Sequence, residues 1–201
     1  MPGNHLSMDR TIDISKYQES LHPDAHLVKS CIAGDIKSQR ALYDEYKKPM
    51  FRVCLRYASC REDAEDFLQD GFIKIFKDLH QFRQQGPLGA WMRKVMINTV
   101  LQHFRKQKNL ISHVDVNSLS ERHKEDEQIT SGMDAEILTR YIQQLPVGYR
   151  VVFNMYVVEG YPHKDIAQTL GISIGTSKSQ LSKAKAMLRE QLKGVFIQQS
   201  A

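Results

Sequence analysis

The stretch GISIGTSKSQLSKAKAMLRE, Gly171 to Glu190, opens on a turn and continues as a helix with basic residues on its outer face. Gly171 permits a left-handed turn and Ser173 suits an N-cap. Ile174, Leu181, Ala184, Leu188 and Leu192 recur at helical spacing as an inward line. Opposite them stand Thr176, Ser179, Ser182 and Lys183, flanked by Lys178 and Gln180. Ser179 and Lys183 are expected deepest in a DNA groove, with Lys178 nearer a phosphate strand. Just upstream, Pro162 to Leu170 reads as a short helix with Ile166, Ala167 and Leu170 facing inward. The small Ala167 lets two helices cross closely, so the pair predicts a helix-turn-helix whose second helix fits a major groove. A lysine-rich helical hairpin with a solvated face has the same local pattern, so the rest of the chain decides.

Upstream, Ile137, Leu138, Tyr141, Ile142 and Leu145 predict one helix, and Pro146 starts another through Val151, Val152, Met155 and Tyr156 to Gly160. The run YRVVFNMYVV is β-prone by composition, but its helical neighbours favour helix. Before this, Asn109 to Gly132 loses periodicity and carries ERHKEDEQ, as a flexible linker would.

The first half repeats the helical signature. Leu27, Val28, Cys31 and Ile32 predict a helix ending at Gly34; Ala41, Leu42, Tyr46, Val53, Cys54 and Tyr57 predict a longer one interrupted near Pro49. Ser59 and Glu62 have capping-box spacing and start a third helix, apolar along Ala64, Phe67, Leu68, Phe72, Ile75, Phe76 and Leu79. Its other side is acidic, with Asp63, Asp66 and Asp70 recurring together. After the loop HQFRQQGPLG, a fourth helix is expected from about Ala90 to Lys106, burying Met92, Val95, Met96 and Thr99. It exposes a polar and basic stripe of Lys94, Asn98, Gln102 and Arg105. One segment suits phosphate and the other a basic protein surface. The net charge of +5 over 201 residues matters less than this segregation.

The expected architecture is therefore all-α, with two small helical domains: a flexible leader at 1–22, an N-terminal domain at 23–108, a linker at 109–133 and a helix-turn-helix domain at 134–195. Three cysteines without CxxC spacing indicate neither a disulfide framework nor a zinc site, so no metal or cofactor is expected. Cys31 and Cys54 fall among apolar neighbours, as small hydrophobes do. No apolar run approaches the roughly 20 residues that span a bilayer, and no signal-peptide core is present, so the chain is expected in the cytoplasm without membrane insertion.

The runs REDAEDFLQDGFIKIF, AWMRKVMINTVLQHFRK and LPVGYRVVFNMYVVEGYPHKDIAQTLGISIGTSKSQLSKAKAMLR occur in an order that resembles the extracytoplasmic-function (ECF) group of bacterial RNA polymerase sigma factors. The resemblance covers about Asp24 to Leu192. It implies that Asp63, Asp66 and Asp70 bind the clamp helices of the largest polymerase subunit. It implies minus-ten recognition by Phe82 to Arg105, with Asn98 and Gln102 suited to base edges and Lys94 and Arg105 to phosphates. Minus-thirty-five recognition would fall to Thr176, Lys178, Ser179, Gln180, Ser182 and Lys183. An anti-sigma factor is an implied partner, and the core polymerase would supply all the chemistry, so the chain itself is expected to be no enzyme. Departures from the family are Ser177 at a usually apolar position, Pro162, His163 and Lys164 in place of a cap followed by acids, and Leu88 and Gly89 in the base-capture loop, where a larger side chain is common. The rivals are a two-domain helix-turn-helix regulator acting without core polymerase, whose first half should carry strands, and a recombinase, which needs a clustered nucleophile with arginines.

Overall fold

A computed structural model describes residues 24–106 and 135–198; the expected leader and linker lie outside these residues. The first stretch holds α1 (Ala25–Ile32), α2 (Ile36–Tyr57), α3 (Arg61–Asp78), a 3-10 turn (Leu79–Gln81) and α4 (Leu88–Lys106). The second holds α5 (Ala135–Gln144), α6 (Val147–Phe153) running into a π turn (Asn154–Val158), α7 (His163–Leu170) and α8 (Ile174–Gln198). No strand occurs among the described residues, and none of their helices is long and apolar enough to cross a membrane. The β-prone run YRVVFNMYVV is indeed helical, α6 and its π turn.

Local chemistry explains most boundaries. Gly34 takes the left-handed conformation (φ +86°) after α1, and the Asp35 carboxylate then caps α2 by accepting from the Ser38 N–H at 2.9 Å. The interruption expected near Pro49 is absent, since α2 runs through it. Pro49 is exposed, so the backbone carbonyl it leaves unbonded faces water, while buried Leu42, Met50, Val53 and Cys54 hold both halves of the helix to one core. The expected pairing of Ser59 with Glu62 is also absent. Cys60 is the N-cap, the Asp63 carboxylate accepts from the Ser59 N–H at 3.2 Å, and the Ser59 hydroxyl accepts from Arg150 at 2.7 Å. A distant arginine has taken the oxygen that would have closed the box.

In the first stretch α2, α3 and α4 enclose Tyr57, Ile75, Leu88, Met92 and Met96, all fully buried. Helices α3 and α4 approach closely at Gly71, where an added Cβ would stand 2.0 Å from the Met96 sulfur. Cys54 belongs to this core, and burial pushes its thiol up to about 12, which leaves it a small hydrophobe.

The two stretches share their apolar interior. Val151, Val152, Met155, Ile166, Leu170 and Leu181 continue the cluster that contains Leu42, Tyr57 and Met92, while Ile142, Leu145, Tyr149, Ala184 and Leu188 form a second, smaller one. Beside this shared core, the two stretches also meet through polar, directional contacts. The last turn of α2 has carbonyls with no helical partner. Gln143 donates to the Leu55 carbonyl at 3.0 Å and Asn154 to the Arg56 carbonyl at 2.7 Å. Glu159 accepts two hydrogen bonds from Arg93, at 2.7 and 3.1 Å, and lies 3.5 Å from Arg56. Its side chain is 7% exposed. Burial, followed by the charge of Arg93, lowers the Arg56 guanidinium from its ordinary value, and Glu159 opposes that shift.

Removing Glu159 would leave the mostly buried Arg56 guanidinium beside that of Arg93 without a counter-charge. Glu159→Ala is expected to cost about 3 kcal/mol, read as a lower midpoint in chemical denaturation. The exposed Glu45→Ala should stay within about 0.5 kcal/mol. Equal midpoints for the two variants would show that the ion pair does not hold the halves together.

Candidate nucleic-acid and polymerase-binding surfaces

The helix-turn-helix is built by three local devices. Pro162 stands at the N-cap of α7. Gly171 ends that helix in the left-handed conformation (φ 67°, ψ 34°), where its N–H donates to the Ala167 carbonyl. Ser173 caps α8, its hydroxyl accepting from the Thr176 N–H at 2.9 Å. Ile166, Ala167 and Leu170 are buried, as their spacing required.

The rotation of α8 differs from the expected one. Its buried side chains are Ser177, Gln180, Leu181, Ala184 and Leu188, which fall within an arc of about 100° at 3.6 residues per turn. Ile174 is 47% exposed, because the inward line begins one turn later, at Ser177. Gln180, expected on the reading face, is 5% exposed and lies on the inward arc. Thr176 is half-buried and engaged with the cap. Lys178, Ser179, Ser182 and Lys183 are all exposed. Ser179 and Ser182 stand opposite the buried arc, and Lys178 and Lys183 flank them on either side. Lys183 is therefore a flanking cation, not the central reader its spacing had suggested, and its ammonium sits 6.0 Å from the Tyr149 ring.

On α4 the stripe of Lys94, Asn98, Gln102 and Arg105 is exposed along its whole length. The expected inward residues Met92 and Met96 are buried, Val95 and Thr99 half-buried, and Ile97, Val100, Leu101 and Phe104 complete the inner face. Phe82 is half-buried with its ring 5.6 Å from that of Trp91, so the two aromatics close the start of the helix together. Leu88 and Gly89 belong to the first turn of α4 and not to the loop. Leu88 packs into the core, and a Cβ on Gly89 would stand 2.9 Å from the Tyr46 ring, so packing constrains both positions. Asn98, Gln102 and Arg105 line a crevice with Leu101 and, from α7, Gln168 and Thr169. One groove thus brings the α4 stripe up against the helix-turn-helix.

On α3, Asp66 and Asp70 are exposed beside Glu62 and Glu65. Asp63 is half-buried and engaged with the Ser59 N–H, so it anchors the helix start as well as adding charge. The three aspartates line a hollow with Phe67, Gln69 and His103. The His103 ring meets Phe67 edge-on at 5.1 Å. Sequence spacing gave no hint of His103 here, because it arrives from α4. Among the described residues no cluster of three or more His, Cys, Asp or Glu could hold a metal ion.

Residues 42–110 match the family described as Sigma-70 region 2, and residues 135–188 the one described as Sigma-70, region 4. The ECF RNA polymerase sigma factor SigM of Mycobacterium tuberculosis is 27% identical over 175 residues, covering 84% of this chain and 84% of that protein. The ECF RNA polymerase sigma-E factor of Haemophilus influenzae is 23% identical over 181 residues, covering 84% of this chain and 95% of its own length. Among solved structures, the sigma factor RpoE of Bartonella quintana, in complex with the anti-sigma factor NepR, aligns with a TM-score of 0.47 at 23% identity, over 79% of this chain and 98% of that one.

Because Gly171 sits in the left-handed region, Gly171→Ala is expected to cost about 1–2 kcal/mol, and Gly171→Asn less, since asparagine tolerates that conformation. Thermal melts of the three proteins check the order. An alanine variant as stable as the glycine parent would mean that the turn relaxes freely.

Proposed function

Since this chain belongs to the extracytoplasmic-function group of bacterial RNA polymerase sigma factors, which direct promoter-specific transcription initiation, we propose specific surfaces for each part of that task. The observation that carries the assignment is the ordered pair of matched regions, 42–110 and 135–188, each ending in an exposed polar and basic helix face. A regulator acting without polymerase is not favoured, because the first half matches a sigma region.

Asp66 and Asp70, with Asp63 behind them, form the surface for the clamp helices of the largest polymerase subunit. Their support is exposure, like charge and lack of any role in the core of α3. Asn98 and Gln102 offer both donors and acceptors to unpaired bases of the minus-ten element, with Lys94 and Arg105 beside them for phosphates. Phe82 supports that surface by its packing on Trp91. Ser179 and Ser182 face the floor of the major groove at the minus-thirty-five element. Lys178 and Lys183 reach the two phosphate walls, and Thr176 lies at the helix start. The polymerase core carries the chemistry, and an anti-sigma factor is a further partner that the family resemblance implies.

The crevice beside the α4 stripe is closed by Gln168 and Thr169 of α7, and no α8 side chain lines it.

Run-off transcription with core polymerase, with and without the chain, tests the whole reading: a specific transcript should appear only with the chain. Asp66→Lys combined with Asp70→Lys should weaken core binding about tenfold or more while leaving the helical circular dichroism unchanged. Unaltered affinity would make that face mere solvated surface.

The two classes of α8 position should separate in a minus-thirty-five mutant library. Lys178→Ala and Lys183→Ala are expected to lower every promoter by a similar factor and each to reduce the salt slope by about one. Ser179→Ala or Ser182→Ala should instead change which bases are preferred, by about 1 kcal/mol per lost contact. Uniform scaling by the serine variants would place specificity on α4.

A further inference from the structure

Ser177 is fully buried on α8, at a position where a polar side chain needs a partner. Its Oγ lies 2.9 Å from Nδ1 of His163, the first residue of α7; which atom donates follows from the imidazole tautomer. The His163 ring stacks on Tyr156, with centroids 4.5 Å apart and planes 23° apart. The Lys185 ammonium stands 5.8 Å from the centroid of that same Tyr156 ring. The string therefore leaves α8 at Ser177, crosses α7 and the π turn, and returns to α8 at Lys185, eight positions or just over two turns further on. Within that interval lie Lys178, Ser179, Ser182 and Lys183, the outward side chains.

We propose that His163 is a positioning residue for promoter reading: through Ser177, and through Tyr156 to Lys185, it fixes the rotation of α8 and so decides which side chains face the DNA. The inference rests on the reading of α8 as the minus-thirty-five helix. Rotation is the coordinate that matters, because each residue advances about 100° around the axis and a partial turn exchanges a central serine for a flanking lysine. An apolar contact at position 177 would hold α8 against α7 without direction; a hydrogen bond is directional and a stacked ring restricts its tilt. Burial, with Lys178 and Lys185 nearby, keeps the His163 ring below its ordinary value and favours the neutral form.

The test measures base preference apart from stability. A library of single-base minus-thirty-five variants is transcribed by core polymerase carrying the parent chain, His163→Ala, His163→Asn or Ser177→Ala, with melting midpoints recorded for each. Asparagine places a hydrogen-bonding atom close to where Nδ1 stood. Ser177→Ala removes the hydroxyl without adding volume, so it folds even where the histidine variants lose stability. The expected result is a preference between best and worst bases that flattens roughly fivefold or more in His163→Ala and Ser177→Ala, the size of one lost base contact. His163→Asn should recover most of it. A profile scaled by one common factor, or unchanged preferences in both alanine variants, would overturn the proposal and leave the pair as a packing contact. A parent chain that itself shows no minus-thirty-five preference would instead sink the assignment of α8, a failure distinguished by the parent profile alone.

Discussion

The carboxylate of Glu159, held by Arg93 and close to Arg56, is the constraint on which the described arrangement depends. It stands where the π turn ends, just before the helix-turn-helix, and its partners lie on α4 and at the end of α2. A desolvated carboxylate is costly unless paired, and each guanidinium would repel the other without it. The three groups therefore favour the placement of the halves that keeps them together. The helix-turn-helix inherits its position against α4 from that contact.

The remaining seam contacts make the same choice by hydrogen bonding. Gln143 and Asn154 satisfy carbonyls that the end of α2 cannot satisfy for itself, and Arg150, buried beside them, donates to Ser59 and to the Gln143 and Leu145 carbonyls. Burial lowers the Arg150 guanidinium to about 10, a shift that still leaves it charged at neutral pH. Such groups add little net stability compared with an apolar seam, since desolvation offsets most of the gain. They add direction to the apolar contact that the two stretches share.

Inside the helix-turn-helix the same division recurs on a smaller scale. Ile166, Leu170, Leu181 and Ala184 supply burial, which is indifferent to small rotations. His163 and Ser177 supply a directional contact. The departures from the family pattern noted in the sequence at 163 and 177 thus meet in one contact, the hydrogen bond between His163 and Ser177.

The sequence by itself determined the helices, the turn at Gly171, the cap at Ser173, the acidic face of α3 and the polar stripe of α4, because each follows from spacing or conformation within a few residues. It also determined the family, through the order of its motifs. Tertiary structure decided the rest: that α2 continues through Pro49, that Gln180 turns inward and Lys183 to a flank, that Leu88 packs inside, and that His103 joins the aspartates. The inward line of α8 was misplaced because Ile174 looks like a core residue, while the residue that is buried, Ser177, looks like a surface one. Periodicity sees only one element at a time. Glu159 and Arg93 stand 66 positions apart, and the energy that selects their pairing belongs to the space between helices and not to either helix alone.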